Sequence, residues 1–265
     1  TNIRLLISGA VLLLFAYLSD KEKFVAFFKD KNSYISLILF AFFGLLLTQL
    51  TYLIAIAETN AGTATVLQYV CPVGVLAYTC IKDRVGPTVS EIASMLLAIG
   101  GTFLIATHGQ LNQLAITPKG LGWGLFSAFA YALYIILPLN LIKKWGSMLV
   151  IGVGMLLPGI LMLPFSGLVS FQGHYSSDNL WALFGLIVLG TIFAYTVFLK
   201  GTSMVGAVKG SLLASIEPIS AVFFAYMIMN DQFYAIDFIG MGMILLAVLL
   251  ISLKDLIIQK EKGIL

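Results

Sequence analysis

Apolar residues in this chain come in long, nearly unbroken runs, separated by short stretches that hold most of the charges and turn formers. Nine runs cover roughly 5–19, 33–57, 62–81, 89–107, 120–142, 147–165, 179–199, 204–229 and 234–253. A helix needs about 20 apolar residues to cross roughly 30 Å of hydrocarbon. The runs do not alternate in and out as barrel strands do, and in lipid only helices and closed barrels satisfy their own backbone. The pattern predicts an all-α polytopic membrane protein with nine helices in this chain. The first run is short, and the chain enters it almost at once from Thr1. That predicts a further helix upstream.

Composition points the same way. The 265 residues are 60% hydrophobic and 10% charged, where a globular domain is about a quarter charged. Mean hydropathy is +1.03. These values exclude a disordered chain, a nucleic-acid-binding module and nearly every soluble enzyme. Cys71 and Cys80 share one apolar run and form no disulfide or metal framework. His108 and His174 fall in predicted outer loops, far apart in sequence. There is no His-Glu-x-x-His, no pair of intramembrane aspartates and no phosphate loop with its lysine. The expectation is not an enzyme, with no cofactor and no metal.

The basic residues set an orientation. With the C-terminus cytoplasmic and nine alternating crossings, Lys21, Lys23, Lys29, Lys31, Lys82, Arg84, Lys143, Lys144, Lys200, Lys209, Lys254, Lys260 and Lys262 lie inside. Only Arg4 and Lys119 lie outside, a bias of 13 to 2.

An internal repeat sharpens the architecture. Tyr52-Leu-Ile-Ala-Ile-Ala-Glu58 with downstream Pro72 matches Tyr195-Thr-Val-Phe-Leu-Lys200 with downstream Pro218. Tyrosine to proline is 20 residues in one copy and 23 in the other. Gly101 and Ala247 each follow their proline by 29 residues. The second copy needs five helices and the first shows four. Five crossings per copy is odd, so the copies are inverted in the membrane, a symmetry typical of secondary transporters.

Two segments carry a family resemblance: residues 55–72, from Ala55 through Glu58, Gly62 and Gln68 to Pro72, and residues 210–221, Gly-Ser-Leu-Leu-Ala-Ser-Ile-Glu-Pro-Ile-Ser-Ala. In these the chain resembles the drug/metabolite transporter superfamily, EamA type, along essentially its whole length. The resemblance implies a ten-helix fold of two inverted five-helix repeats, with the first helix absent here. It implies a first repeat over 1–107 with four visible helices, an external linker over 108–118 and a second repeat over 119–257. It also implies a central cavity lined by the runs 33–57, 62–81, 120–142, 179–199 and 204–229, and movement of small metabolites, often outward. The sequence departs from the family at Ala247, where glycine is usual, and at Asp83 and Asp231, where glutamate is usual.

Polar groups within such runs are costly, so their placement is informative. Glu217 is the one acidic residue well inside an apolar run. Pro218 beside it breaks the helix and frees a carbonyl about one turn upstream, near Ala214. A carboxyl there is a candidate coupling site for a proton or cation. Gly206, Gly210, Ala214, Glu217 and Ala221 also make a small-residue stripe, so Glu217 alternatively serves helix packing. Trp123, Ser127, Tyr131, Tyr134 and Pro138 share one helical face. Rings with polar tips suit a cavity, and Trp123 equally suits the interfacial belt. Thr65, Gln68, Pro72 and Thr79 share another face. Gln49, Tyr52, Tyr195 and Ser215 complete the cavity-lining candidates, and Pro72 and Pro218 are the helix breaks.

These features predict a secondary transporter of small organic solutes, amino-acid- or metabolite-like and directed outward, working by alternating access. The alternative is a non-transporting structural or regulatory membrane subunit. The expected partners are the bilayer and a small-molecule substrate, with proton coupling open, no nucleic acid and no stated oligomeric state. The expected location is a bacterial inner membrane with the C-terminus cytoplasmic.

Overall fold

Two aspartates divide the charge-rich stretch after the first apolar run into helices. Asp20 follows α1 (Asn2–Ser19) and caps α2 (Lys21–Lys29), accepting the Lys23 N–H at 2.9 Å. Asp30 follows α2 and opens α3 (Lys31–Leu39), accepting the Asn32 N–H at 3.3 Å and the Ser33 hydroxyl at 2.8 Å. Hydrophobic patterning alone leaves 20–32 as a gap between apolar runs. It is instead a short amphipathic helix whose Phe27 is fully buried.

The computed structural model describes residues 2–59, 61–110, 117–165, 177–217, 219, 220, 227 and 234–261. After α3 the helix runs through a π-helical segment, Phe40–Leu46, into α4 (Leu47–Glu58). Then come α5 (Ala61–Gln68), α6 (Cys71–Asp83) and α7 (Val89–Thr107). Thr88 starts α7 with a capping box, its N–H donating to Glu91 Oε2 at 2.8 Å. Next are α8 (Pro118–Ile136), α9 (Leu139–Trp145), α10 (Ser147–Leu161) and α11 (Ser177–Ile187). A second π-helical segment, Val188–Phe193, leads into α12 (Ala194–Val205), followed by α13 (Ala207–Ala214) and α14 (Ala235–Glu261). Among the described residues there is no strand.

Among the described residues, five helical stretches are long and apolar enough to cross a membrane: Asn2–Ser19, Lys31–Glu58, Thr63–Asp83, Pro118–Trp145 and Trp181–Val205. Val89–Ile105, Ser147–Leu161 and Ala235–Leu250 are apolar but shorter. Of the predicted run 204–229, much of the part beyond α13 lies outside the described residues.

The chain folds into two compact units. Unit 1 takes Thr1–Leu47 and Leu133–Val205; unit 2 takes Thr48–Ala132 and Gly206–Leu265. Each unit therefore draws on both halves of the sequence.

In unit 1, α10 packs along α1 and against the first π-helical segment. Glycines bring the helices together: a Cβ on Gly9 would lie 2.9 Å from the Leu156 nitrogen, and one on Gly154 would lie 2.8 Å from the Phe40 ring. In unit 2, α7 packs along α14, where a Cβ on Gly101 would lie 2.5 Å from the Gly240 carbonyl oxygen. There α6 also packs on α13. Leu76, Met95, Ala98, Leu212 and Ala247 form one buried cluster drawn from α6, α7, α13 and α14.

The packed pairs α1–α10, α6–α13 and α7–α14 each join one helix from either half of the chain. Ala247, where the resembled family has glycine, is fully buried in that cluster. The π-helical segments recur in step as well. Gly44 precedes Pro72 by 28 residues and Gly190 precedes Pro218 by 28.

Candidate functional site

Unit 2 places most of the polar candidates on facing helices. The turn at Tyr69–Val70 separates α5 from α6. Pro72 stands in the first turn of α6, where its missing N–H costs no intrahelical bond. Farther along, α13 ends at Ala214 and a turn at Ser215–Ile216 follows. Pro218 lies outside the described residues, but its ring nitrogen has no hydrogen to offer the Ala214 carbonyl four residues back.

Tyr69 meets that need. It is 4% exposed, and its hydroxyl lies 3.1 Å from the Ala214 carbonyl oxygen and 2.9 Å from Glu217 Oε2. One phenolic hydrogen therefore faces two acceptors. Glu217 itself is exposed, backed by a buried tyrosine.

Around this pair the other candidates bond in sequence-distant couples. Tyr52 on α4 bonds Thr65 on α5, Oη to Oγ1, at 2.8 Å. Gln68 Nε2 donates to the buried Ser127 Oγ on α8 at 2.8 Å. Gln49 and Tyr131 are half-buried in the same unit. Ser215 is buried, and its hydroxyl has no hydrogen-bond partner among the described residues. Trp123 stands near the start of α8, half-exposed, its ring 6.1 Å from that of Phe126.

Unit 1 holds the other two candidates, in an aromatic cluster. Tyr134 is 5% exposed, stacked with Phe40 and Phe198 at 6.2 and 6.4 Å and edge-on to Tyr195 at 5.7 Å. The proposed face through Pro138 does not continue as one helix. A turn at Leu137–Pro138 ends α8, because a proline cannot extend the ladder, and α9 begins at Leu139.

At one end of unit 1, Lys144 forms an ion pair with Asp30, and Trp145 Nε1 donates to Ser33 Oγ at 2.9 Å. The Lys144 ammonium, followed by the Ser33 hydroxyl, holds the Asp30 carboxyl below its usual range. In unit 2, the Thr117 hydroxyl donates to the Glu58 carbonyl at 3.3 Å, and His108 Nδ1 meets Asp237 Oδ1 at 2.8 Å.

Comparison with known proteins adds the family. The EamA-like transporter family matches residues 1–107 and 118–253. The chain belongs to that family. It is 35% identical over 255 residues to the uncharacterized inner membrane transporter YicL of Salmonella typhimurium, covering 96% of this chain and 85% of that one. It is 28% identical over 204 residues to an uncharacterized transporter of Archaeoglobus fulgidus, covering 77% and 72%. A crystal structure matches the fold at a TM-score of 0.75 with 13% identity, covering 95% of this chain and 85% of the other. The protein is thus an integral membrane protein of a transporter family, which points to transport rather than enzyme chemistry.

Within that EamA fold, sequence reasoning passed over two functional-looking groups. Tyr69 was hidden beside Gln68 because it sits in the turn, off the face that the helical spacing drew. The freed Ala214 carbonyl called for a donor, but nothing in the sequence named one 145 residues away. Asp237, fully buried, accepts the Tyr234 N–H at 2.9 Å while meeting His108. It opens α14, and its capping position was its only sequence signal.

Proposed function

We propose that this protein is a secondary transporter of small organic solutes, amino-acid- or metabolite-like, that works by alternating access and exports across a bacterial inner membrane. The C-terminus is cytoplasmic in this reading. The observation that carries it is the Tyr69–Glu217–Ala214 arrangement at a helix break. Two acceptors facing one phenolic hydrogen are both satisfied when Glu217 holds a proton, since Glu217 then donates to the Tyr69 oxygen and Tyr69 donates to Ala214. When the proton leaves, the tyrosine is shared between a carboxylate and a carbonyl. Proton release thereby changes the bonding at the point where α13 ends, which is what a coupling site requires. The exposure of Glu217 gives that proton a route.

Polar couples on neighbouring helices, Tyr52 with Thr65 and Gln68 with Ser127, support a solute path. Half-buried Gln49 and Tyr131 add hydrogen-bonding capacity in the same unit. Discontinuous helices at midspan and inverted repeats are the usual ground of transporter binding sites.

The deciding measurement is flux in proteoliposomes with an imposed pH gradient, screened over amino acids, amines and sugars. Saturable, selective flux is expected, with uphill movement driven by the gradient. Glu217→Gln should fold, still exchange substrate and lose the gradient-driven component. No saturable flux of any solute would favour the non-transporting subunit. Normal gradient-driven accumulation by Glu217→Gln would remove this residue from the coupling.

A further inference from the structure

Unit 1 contains a cavity of about 470 Å³ at the end where α1 gives way to α2 and α9 gives way to α10. Lys23, Lys143 and Lys200 line it, from three segments far apart in the chain, and Asp20 is the single acid on its wall. Among the described residues none of these three lysines is in an ion pair. Asp20 already accepts the Lys23 N–H as the cap of α2. Three ammonium groups against one carboxylate leave the wall with two uncompensated positive charges.

The start of α10 opens onto the same space. Gly146, Ser147, Met148 and Leu149 line the cavity, and they are the cap and first turn of a 15-residue helix. Gly146 has no side chain with which to cap, and its φ of +88° is one that favours glycine. The first N–H groups of a helix have no intrahelical acceptor, and its N-terminus carries partial positive charge. Ser147 is 6% exposed and lines the cavity. Its hydroxyl is a donor available to a ligand in that space.

The three lysines and the first turn of α10 together suit an anion with several acceptor oxygens. Lysine ammonium groups and helix N-termini together bind phosphate in many proteins. The volume lies in the range of small-organic-ligand sites, about 300–1,000 Å³, and exceeds what a lone ion fills. Ile142, Met148 and Met204 give the same cavity an apolar side.

We propose that this cavity binds the phosphate group of an amphipathic phosphate ester, held by Lys143, Lys200, Ser147 and the first turn of α10. The apolar side takes the ester's carbon chain. The site is separate in its residues from the transport reading above and stands without it. The same chemistry comes from two sources: an anionic phospholipid headgroup, or a soluble phosphate ester.

The test is thermal stabilisation of the purified full chain in a neutral maltoside detergent. The probes are phosphatidylglycerol and glycerol 3-phosphate, with phosphatidylcholine and glycerol as controls. A ligand that binds the folded state raises its apparent stability, increasingly with the logarithm of ligand concentration above Kd. Stabilisation by phosphatidylglycerol alone, beyond phosphatidylcholine, assigns the lipid headgroup. Saturable stabilisation by glycerol 3-phosphate, beyond glycerol, assigns the soluble ester. Either response should weaken by about tenfold or more in apparent affinity in the Lys143→Gln, Lys200→Gln double variant, and also fall in Ser147→Ala. The Lys143→Arg, Lys200→Arg variant should retain it. No preference for either phosphate over its neutral control overturns the proposal. So does a preference that the double glutamine variant keeps undiminished.

Discussion

Tyr69 and Glu217, 148 residues apart, are joined side chain to side chain at 2.9 Å, and the same tyrosine oxygen lies 3.1 Å from the Ala214 carbonyl. Tyr69→Phe removes both bonds while keeping the ring. It leaves a carbonyl that Pro218 cannot serve. Loss of such a partner costs about 1–3 kcal/mol. The variant should therefore show a lower melting temperature in detergent, and in the flux assay an altered pH dependence. An unchanged melting temperature would mean that the tyrosine bond adds nothing to the folded state.

Tyr131 and Tyr134 should separate in their effects. Tyr134 is packed among Phe40, Tyr195 and Phe198 within unit 1, so Tyr134→Ala should destabilise by about 3–5 kcal/mol. Tyr134→Phe should recover most of that loss, because the ring does the packing. Tyr131 is half-buried, and Tyr131→Ala should weaken substrate binding in a protein that remains folded. Urea or thermal unfolding together with substrate titration distinguishes the two residues.

Gly101 sets the approach of α7 to α14. A methyl group there would lie 2.5 Å from the Gly240 oxygen and 2.7 Å from Ile244 Cγ1. Gly101→Ala should cost about 1–3 kcal/mol, the usual cost of overpacking. Gly122 on α8 has nothing within 4 Å of such a methyl. Gly122→Ala should leave stability unchanged or raise it by up to about 1 kcal/mol, as expected for alanine in a helix. Melting temperatures of the two variants test the packing directly.

The Asp30–Lys144 pair gives acid sensitivity with a defined sign. Asp30 has a lower pKa folded than unfolded, chiefly through the Lys144 ammonium. Its contribution is therefore present above the unfolded carboxyl value, about 3.9, and is lost as pH falls through the lower folded value. Lys144→Met should lower stability at neutral pH and converge with the parent protein in strong acid. A constant difference in melting temperature from about pH 7 to pH 3 would exclude this ion pair as the cause.

Orientation is checked by single cysteines in a background free of Cys71 and Cys80. Placed at Lys23, Lys144 and Lys262, they should be shielded from an impermeant thiol reagent in intact cells. Placed at Lys119 or His174, they should react. The reverse pattern would invert the proposed topology.

Much of the helical layout was legible because hydrophobic length is a local property. The runs 89–107 and 5–19 fall close to α7 and α1. What local pattern missed were features set by partners. Lys21-Glu-Lys-Phe-Val-Ala-Phe-Phe-Lys29 has too many charges to read as an apolar run, yet Phe27 finds a buried place against the Trp145 ring at 5.4 Å. The π-helical segments have no signature in hydrophobic periodicity. At the candidate site, Glu217, Gln68 and Pro72 stood out because charge, amide and proline are conspicuous within apolar runs. Tyr69 did not, since a tyrosine in such a run is unremarkable until its acceptor is known. The lysines of the unit 1 cavity were counted for their side of the membrane, whereas their convergence depends on tertiary structure.

The division of each compact unit between early and late chain has a consequence for biosynthesis. The face of α1 built around Gly9 fits against α10, which starts only at Ser147. At roughly 5–20 residues per second, a ribosome takes on the order of ten seconds to make the intervening chain. During that interval α1 sits in the translocon or bilayer with its small-residue face unmatched. The same holds for α7 until α14 is synthesised. Neither unit can close before the second half of the message has been read, so an interrupted translation product would contain every helix of the first half and the finished core of neither unit.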